Sequence, residues 1–198
     1  VICVGVTGVM GVGKSTVAGW YARRGIPVIS ADAVYADLTA DGGDLLGVLE
    51  GAFGSILSPD GSLDRKALSA VVFGDAGKRQ QLEALTWPAI IAQIHARLQD
   101  LCGEGHAWCL LEAPRLFAAD LQLICDEVWW VFAPRAVCIA RATARTGLPR
   151  DDIERRLAVQ PTDAFLAANC HRQIDLTHGV ESANPQLWAQ YVRMRGAV

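Results

Sequence analysis

The residues of this chain best suited to chemistry lie near its start, in Gly8-Val9-Met10-Gly11-Val12-Gly13-Lys14-Ser15, with Thr16 behind them. The spacing is that of a phosphate-binding loop. Glycines at these positions let the backbone curl with positive φ, so that successive amide N–H groups point inward and form an anion cradle. Lys14 adds a positive charge for terminal phosphates, and the Ser15 hydroxyl is of the kind that ligates Mg²⁺. A helix starting there adds the positive end of its dipole. On this reading Gly8, Gly11, Val12, Gly13, Lys14, Ser15 and Thr16 hold the phosphates of a nucleoside triphosphate. A Gly-rich structural turn would share the glycines, but not the context. The apolar run from Val1 to Val6 leads in like a strand, and Val17, Ala18, Trp20 and Tyr21 follow in a helical pattern.

Three further groups could act beside such a loop. Gly25-Ile26-Pro27-Val28-Ile29-Ser30 is a short apolar run bounded by turn residues, which predicts a second buried strand with Asp32 at its carboxyl end. In open parallel sheets that edge is where ligands bind, so Asp32 is a candidate base; its structural alternative is the N-cap of a helix from Ala33 to Leu38. Glu112 closes a third strand, Ala107 to Ala113, just before Pro114. An acid at the end of a buried strand beside a phosphate loop is a candidate ligand for a metal ion or water. Arg141 and Arg145 are four apart and so share a helix face, within a basic stretch that also holds Arg150, Arg155 and Arg156. They predict a mobile lid whose guanidinium groups close over transferring phosphates; the alternative is a solvated face paired with Asp151, Asp152 and Glu154.

The elements that must position these groups read as one α/β domain with a helical insertion. From Asp41 to Leu101 the periodicity is helical: Asp44 to Phe53, a turn at Ser58-Pro59-Asp60-Gly61, then Leu63 to Phe73 and Lys78 to Leu85. Pro88 is expected to open another helix through Leu101. A fourth strand runs from Glu127 to Ala133, and its Trp129 and Trp130 are expected to place one ring on each face. Pro134 then starts a helix from Arg135 to Arg145, and a weak strand from Gln173 to Leu176 precedes a C-terminal helix from Pro185 to Arg195.

Composition narrows the partners. The 198 residues carry a formal charge of −3 with interspersed signs, so no polybasic face points to nucleic acid or an anionic membrane. Apolar content is 52%, but the runs are of strand length and broken by Gly, Pro or charge, against a membrane span; the first run is too short for a signal peptide. The six cysteines are scattered without a C-x-x-C pair and read as reduced packing residues of a cytoplasmic protein. Nothing in the sequence specifies an oligomeric state.

Phosphoryl transfer is done largely by positioning and by neutralising charge, so a kinase needs a metal ion, a lysine, mobile cations and a place for an acceptor hydroxyl. This chain offers candidates for all four. A guanine-reading N-K-x-D segment is absent, and Asp44-Leu45-Leu46-Gly47, a switch-like D-x-x-G, falls inside a helical pattern.

The order of these features resembles the dephospho-CoA kinase family. Similar to it are Gly25 to Ile29 with Ala31-Asp32, Phe53-Gly54 with Ile56-Leu57, and Asp60-Gly61-Ser62-Leu63-Asp64-Arg65 with Leu68 and Val72-Phe73. Leu82 to Leu85 with Pro88, Pro114 with Leu116-Phe117, Arg141 with Arg145, and Arg156 with Gln160 also match. The chain departs from the family pattern at Val9, Ser30, Trp87, Arg115 and Ala118.

The resemblance implies ATP- and Mg²⁺-dependent phosphorylation of the ribose 3′-hydroxyl of dephospho-CoA. It implies a P-loop NTPase fold, three-layer α/β/α, with a five-stranded parallel sheet. The core would be 1–32, 104–140 and 172–198, with an acceptor-binding helical region over 33–103 and a lid over about 141–171. Asp32 would be the base and Arg141 and Arg145 the catalytic lid cations, beside the catalytic Lys14 and the metal ligands Ser15 and Glu112 already read from the loop and the strand end. Two other readings stay open: a kinase of the same fold acting on another small hydroxyl compound, and an inactive nucleotide-binding regulatory module.

Overall fold

The apolar run after Val1 becomes the central strand of a sheet in the computed structural model, which describes residues 1–72 and 74–196. The strands are β1 (Ile2–Thr7), β2 (Val28–Ser30), β3 (Trp108–Glu112), β4 (Glu127–Phe132) and β5 (Arg172–Asp175), in the order β2-β3-β1-β4-β5. The pairings of β1 with β3, β1 with β4 and β4 with β5 are parallel, as continuous apolar strands joined by helical crossovers require. Val6 faces Glu112 across the β1–β3 register, so both strands end at one level. The helices among the described residues are α1 (Lys14–Ala22), α2 (Ala31–Leu38), α3 (Leu46–Phe53), α4 (Arg65–Val72), α5 (Ala76–Gly103), α6 (Arg135–Thr146), α7 (Arg150–Ala158), α8 (Asp163–Asn169) and α9 (Val180–Gly196).

The chain divides into two compact units, Val1–Val28 with Leu101–Val198, and Ile29–Asp100. In the first, alternate strand residues Val4, Val6, Trp108, Leu110, Trp129, Val131 and Ile174 pack with Val17, Trp20 and Tyr21 of α1 and Leu187 and Met194 of α9. The period of two along a strand sends the intervening residues to the opposite face. Gly5 on that face has no room for a side chain: a Cβ would come within 2.8 Å of Cys125 Sγ and 3.2 Å of Leu116. The Trp pair splits as its spacing predicts, Trp129 into the α1/α9 core and Trp130 against Phe132 on the other side, with ring centroids 5.2 Å apart.

All six cysteines are free thiols. Contact with Cys3 and burial push the Cys109 thiol up, and burial raises Cys138 and, to about 11, Cys170. These sulfurs are packing groups at neutral pH. No described helix is long and apolar enough to cross a membrane.

In the second unit the Asp60-Gly61-Ser62-Leu63-Asp64-Arg65 segment is a tight turn feeding a helix. Leu57 and Leu63 form an antiparallel bridge, and Gly61 N–H donates to Ser58 O at 2.9 Å. Asp60 Oδ1 accepts from the Ser62 N–H and hydroxyl, and Asp64 Oδ1 caps α4 by accepting from Lys66 and Ala67 N–H. Phe73, expected to end this amphipathic stretch, lies outside the described residues.

Two prolines sit differently from the sequence expectation. Pro88 does not open a helix; it lies inside α5, which runs unbroken from Ala76 to Gly103. Thr86, Ile90 and Ile94, four apart, form one buried stripe through the proline, so burial carries the helix past a missing N–H. Pro185 likewise falls inside α9, which begins at Val180. Helix α8, with Thr162 as its N-cap, has a span too short for periodicity to reveal.

Candidate active site

Gly8, Gly11 and Gly13 have φ of 148°, 79° and 107°, so the chain leaves β1 in a curl that L side chains resist. Close packing adds a second constraint at two of them. A Cβ on Gly8 would lie 2.5 Å from Val131 O, and one on Gly11 would run into the Cys138 carbonyl. The loop therefore lies directly on the end of β4 and on α6. Val12 is buried, and Gly13 is the left-handed N-cap of α1, from which Thr16 and Val17 N–H donate back to Gly13 O.

Lys14 is buried, and its Nζ donates to Gly8 O at 2.9 Å and Val9 O at 3.1 Å, so its charge lies within the loop. Ser15 and Glu112, singled out separately in the sequence, are brought together: Ser15 Oγ donates to Glu112 Oε1 at 2.6 Å. The β1–β3 register explains this, because the loop leaves β1 at the level where β3 ends in Glu112. A hydroxyl and a carboxylate are hard oxygen donors, and Mg²⁺ characteristically takes few protein ligands, completing its shell with water and phosphate oxygens. The two donors are a hydroxyl and a carboxylate, with neither thiolate nor imidazole, so this small oxygen set fits Mg²⁺ and not a closed Cys/His site.

Arg141 lies on α6 against the loop. Its guanidinium donates to Val12 O at 3.3 Å, Leu176 O at 2.8 Å and Thr177 O at 3.3 Å, tying the loop to the turn after β5. Arg145, one turn on, is exposed and has no partner among the described residues. The rest of the basic stretch is partly paired as a solvated face: Arg150 with Glu154 at 2.7 Å, and Arg155 with Asp152.

Gln160, just past the end of α7, also reaches the loop, its Oε1 accepting from Met10 N–H at 2.8 Å. In the sequence Gln160 is only a motif position four residues after Arg156; a contact 150 residues distant leaves no local signal. Val9, Gln160, Ala133, Arg135, Cys138 and Asp163 are among the residues lining a cavity of about 200 Å³ in the same unit.

Asp32, in the second unit, is exposed in the first turn of α2. It is not the N-cap. That place belongs to Ser30, whose side chain accepts from Ala33 N–H at 3.4 Å, so the Asp32 carboxylate is released from the structural role that was its alternative.

The family model for dephospho-CoA kinase matches residues 2–172. The chain belongs to the dephospho-CoA kinase family. A dephospho-CoA kinase from Geobacter sulfurreducens is 39% identical over 191 residues, covering 94% of this chain and 97% of that one. Another, from Anaeromyxobacter dehalogenans, is 40% identical over 162 residues, 81% of this chain and 77% of that one. Among solved structures, TT1252 from Thermus thermophilus superposes with a TM-score of 0.84 at 29% identity, covering 97% of each chain. The dephospho-CoA kinase from Campylobacter jejuni, at 22% identity and a TM-score of 0.66 over 97% of this chain and 96% of that one, shares the fold.

Proposed function

We infer that this chain transfers the γ-phosphoryl group of ATP to the ribose 3′-hydroxyl of dephospho-CoA, giving CoA and ADP. The observation that carries the chemistry is the Ser15–Glu112 oxygen pair at 2.6 Å beneath a loop that already holds Lys14. Family membership carries the acceptor. Ser15 and Glu112 would hold Mg²⁺, which when bound neutralises charge on the β- and γ-phosphates.

The chain's own residues do the rest. Amides of Gly11, Gly13, Lys14 and Ser15 hold the triphosphate, and Lys14 follows charge onto the β–γ bridge as that bond breaks. Asp32 is our base: its carboxylate orients the acceptor hydroxyl and takes its proton as the new O–P bond forms and ADP leaves. Arg145, unpaired among the described residues, offers its guanidinium to the equatorial oxygens of the phosphoryl group in flight.

The deciding experiment is an ATP-consumption assay of the purified protein with dephospho-CoA beside nucleosides, sugars and hydroxy acids. Turnover with dephospho-CoA alone, with the product phosphate on the 3′-oxygen, is expected. Preference for another acceptor would replace the substrate, and tight ATP binding without turnover of any acceptor would replace the enzyme with a nucleotide-binding module.

A further inference from the structure

One peptide unit of the phosphate loop is held from both ends. The carbonyl of the Val9–Met10 peptide accepts from Lys14 Nζ at 3.1 Å, and its N–H donates to Gln160 Oε1 at 2.8 Å. In a trans peptide these groups point in opposite directions, so the two bonds act as opposed tethers on a single plane. The plane has reason to need them. Gly8 and Gly11, at φ 148° and 79°, lie one residue beyond it on either side, so the Val9–Met10 segment joins the rest of the loop through backbone that no side chain restrains. The Val9 carbonyl also accepts from Val12 N–H at 3.3 Å, so turning the plane over would break three bonds at once and leave Lys14 with one of its loop acceptors misdirected.

The far tether is also anchored. Gln160 follows α7, and its N–H donates back to Leu157 O at 3.3 Å. Leu157 packs with Ile153 of α7 and Ile139 and Ala142 of α6, and Val9 and Met10 lie against that same cluster. The carboxamide therefore reaches Met10 from a packed base and not from a loose strand. Its bond also turns the Met10 N–H toward protein and away from the anion cradle, so one amide of the loop is assigned to shape while others remain for phosphate.

We propose that Gln160 is a positioning residue for phosphoryl transfer, acting by fixing the Val9–Met10 plane and through it the place of the Lys14 ammonium. The proposal rests on the kinase reading for its consequence, but its primary test needs only ATP. Gln160→Ala leaves the Met10 amide without its acceptor; Gln160→Glu keeps an oxygen at the same reach.

MgATP affinity is measured by calorimetry, Met10 amide exchange by NMR, and melting temperature in parallel. In Gln160→Ala, Met10 exchange is expected to accelerate and the Kd for MgATP to rise about tenfold, with melting little changed. Gln160→Glu is expected to restore Met10 protection. Unchanged ATP affinity in Gln160→Ala, a Met10 amide that stays protected there, or an affinity loss that tracks melting in both variants would overturn the proposal and leave Gln160 a structural tether. If the wild-type protein binds ATP but does not phosphorylate dephospho-CoA, the acceptor assignment fails while the Gln160 result still stands.

Discussion

Arg141 and Arg145 stand one turn apart on α6 and are treated in opposite ways. Arg141 is half-buried, with its guanidinium bonded to the carbonyls of Val12, Leu176 and Thr177; Arg145 is exposed with no partner among the described residues. The contrast separates two uses of charge beside one loop. A guanidinium on fixed carbonyls holds backbone in place, and removing it strands acceptors. One left in solvent keeps its rotamer freedom and its full charge for a moving partner. The carboxylates divide in the same way. Asp32 is exposed in the first turn of a helix that Ser30 already caps, whereas Glu127 is bound by Trp129, Arg172 and Arg193.

The sharpest way to break this division is at Asp32. Asp32→Asn keeps the size and the first turn of α2 but removes the proton acceptor, so turnover should fall by about 10²- to 10⁴-fold. ATP affinity and melting temperature should hold. A near-normal rate would remove Asp32 from the mechanism and leave its exposure without a catalytic meaning.

Arg145→Ala comes next. Loss of one charge-assisted contact to the phosphoryl group should lower turnover roughly tenfold to a hundredfold, with the melting temperature unmoved. Equal loss of activity and stability would show that Arg145 belongs with the held groups.

Arg141→Ala should show the reverse emphasis. Three carbonyls lose the guanidinium, Leu176 O keeping only the Gly179 N–H, at a cost of roughly 1–3 kcal/mol, which for a chain of this size lowers the melting temperature by about 3–10 °C. Arg141→Lys, a point charge unable to span the three acceptors, should recover only part of it. Full recovery by lysine would mean that charge, and not the fork of donors, holds the loop.

Much of the fold and of the site is legible in the amino-acid sequence. The phosphate loop is readable because glycine spacing is a backbone requirement, and Ser15 and Glu112 are each readable as a loop hydroxyl and a strand-end acid, while their meeting needs the β1–β3 register. What stays hidden depends on partners far along the chain: the Arg141 bonds reach 129, 35 and 36 residues away, and the Gln160 bond 150. Periodicity speaks for a side chain's face, not for which carbonyl it meets, so Arg141 and Arg145 look alike in sequence. Pro88 misleads for a related reason, since local propensity marks it as a helix start while the buried Thr86, Ile90 and Ile94 stripe decides otherwise.

Glu127 tests the held class through pH. Burial on its own raises a carboxyl pKa, but the hydrogen bonds from Trp129, Arg193 and Arg172 and the charge of Arg193 outweigh it and hold Glu127 below its ordinary 4.5. A carboxylate depressed in the folded state contributes stability that is fully present above its unfolded pKa and is lost as pH falls through the folded one. Wild type should therefore melt higher than Glu127→Gln at neutral pH, and the gap should narrow as the solution is acidified below 4.5. The variant keeps the shape and one acceptor oxygen, so the pH-dependent part of the gap isolates the charge. A gap that stays constant throughout acidification would mean that Glu127 joins β4 to Arg172 of β5 and Arg193 of α9 by packing and neutral hydrogen bonding alone.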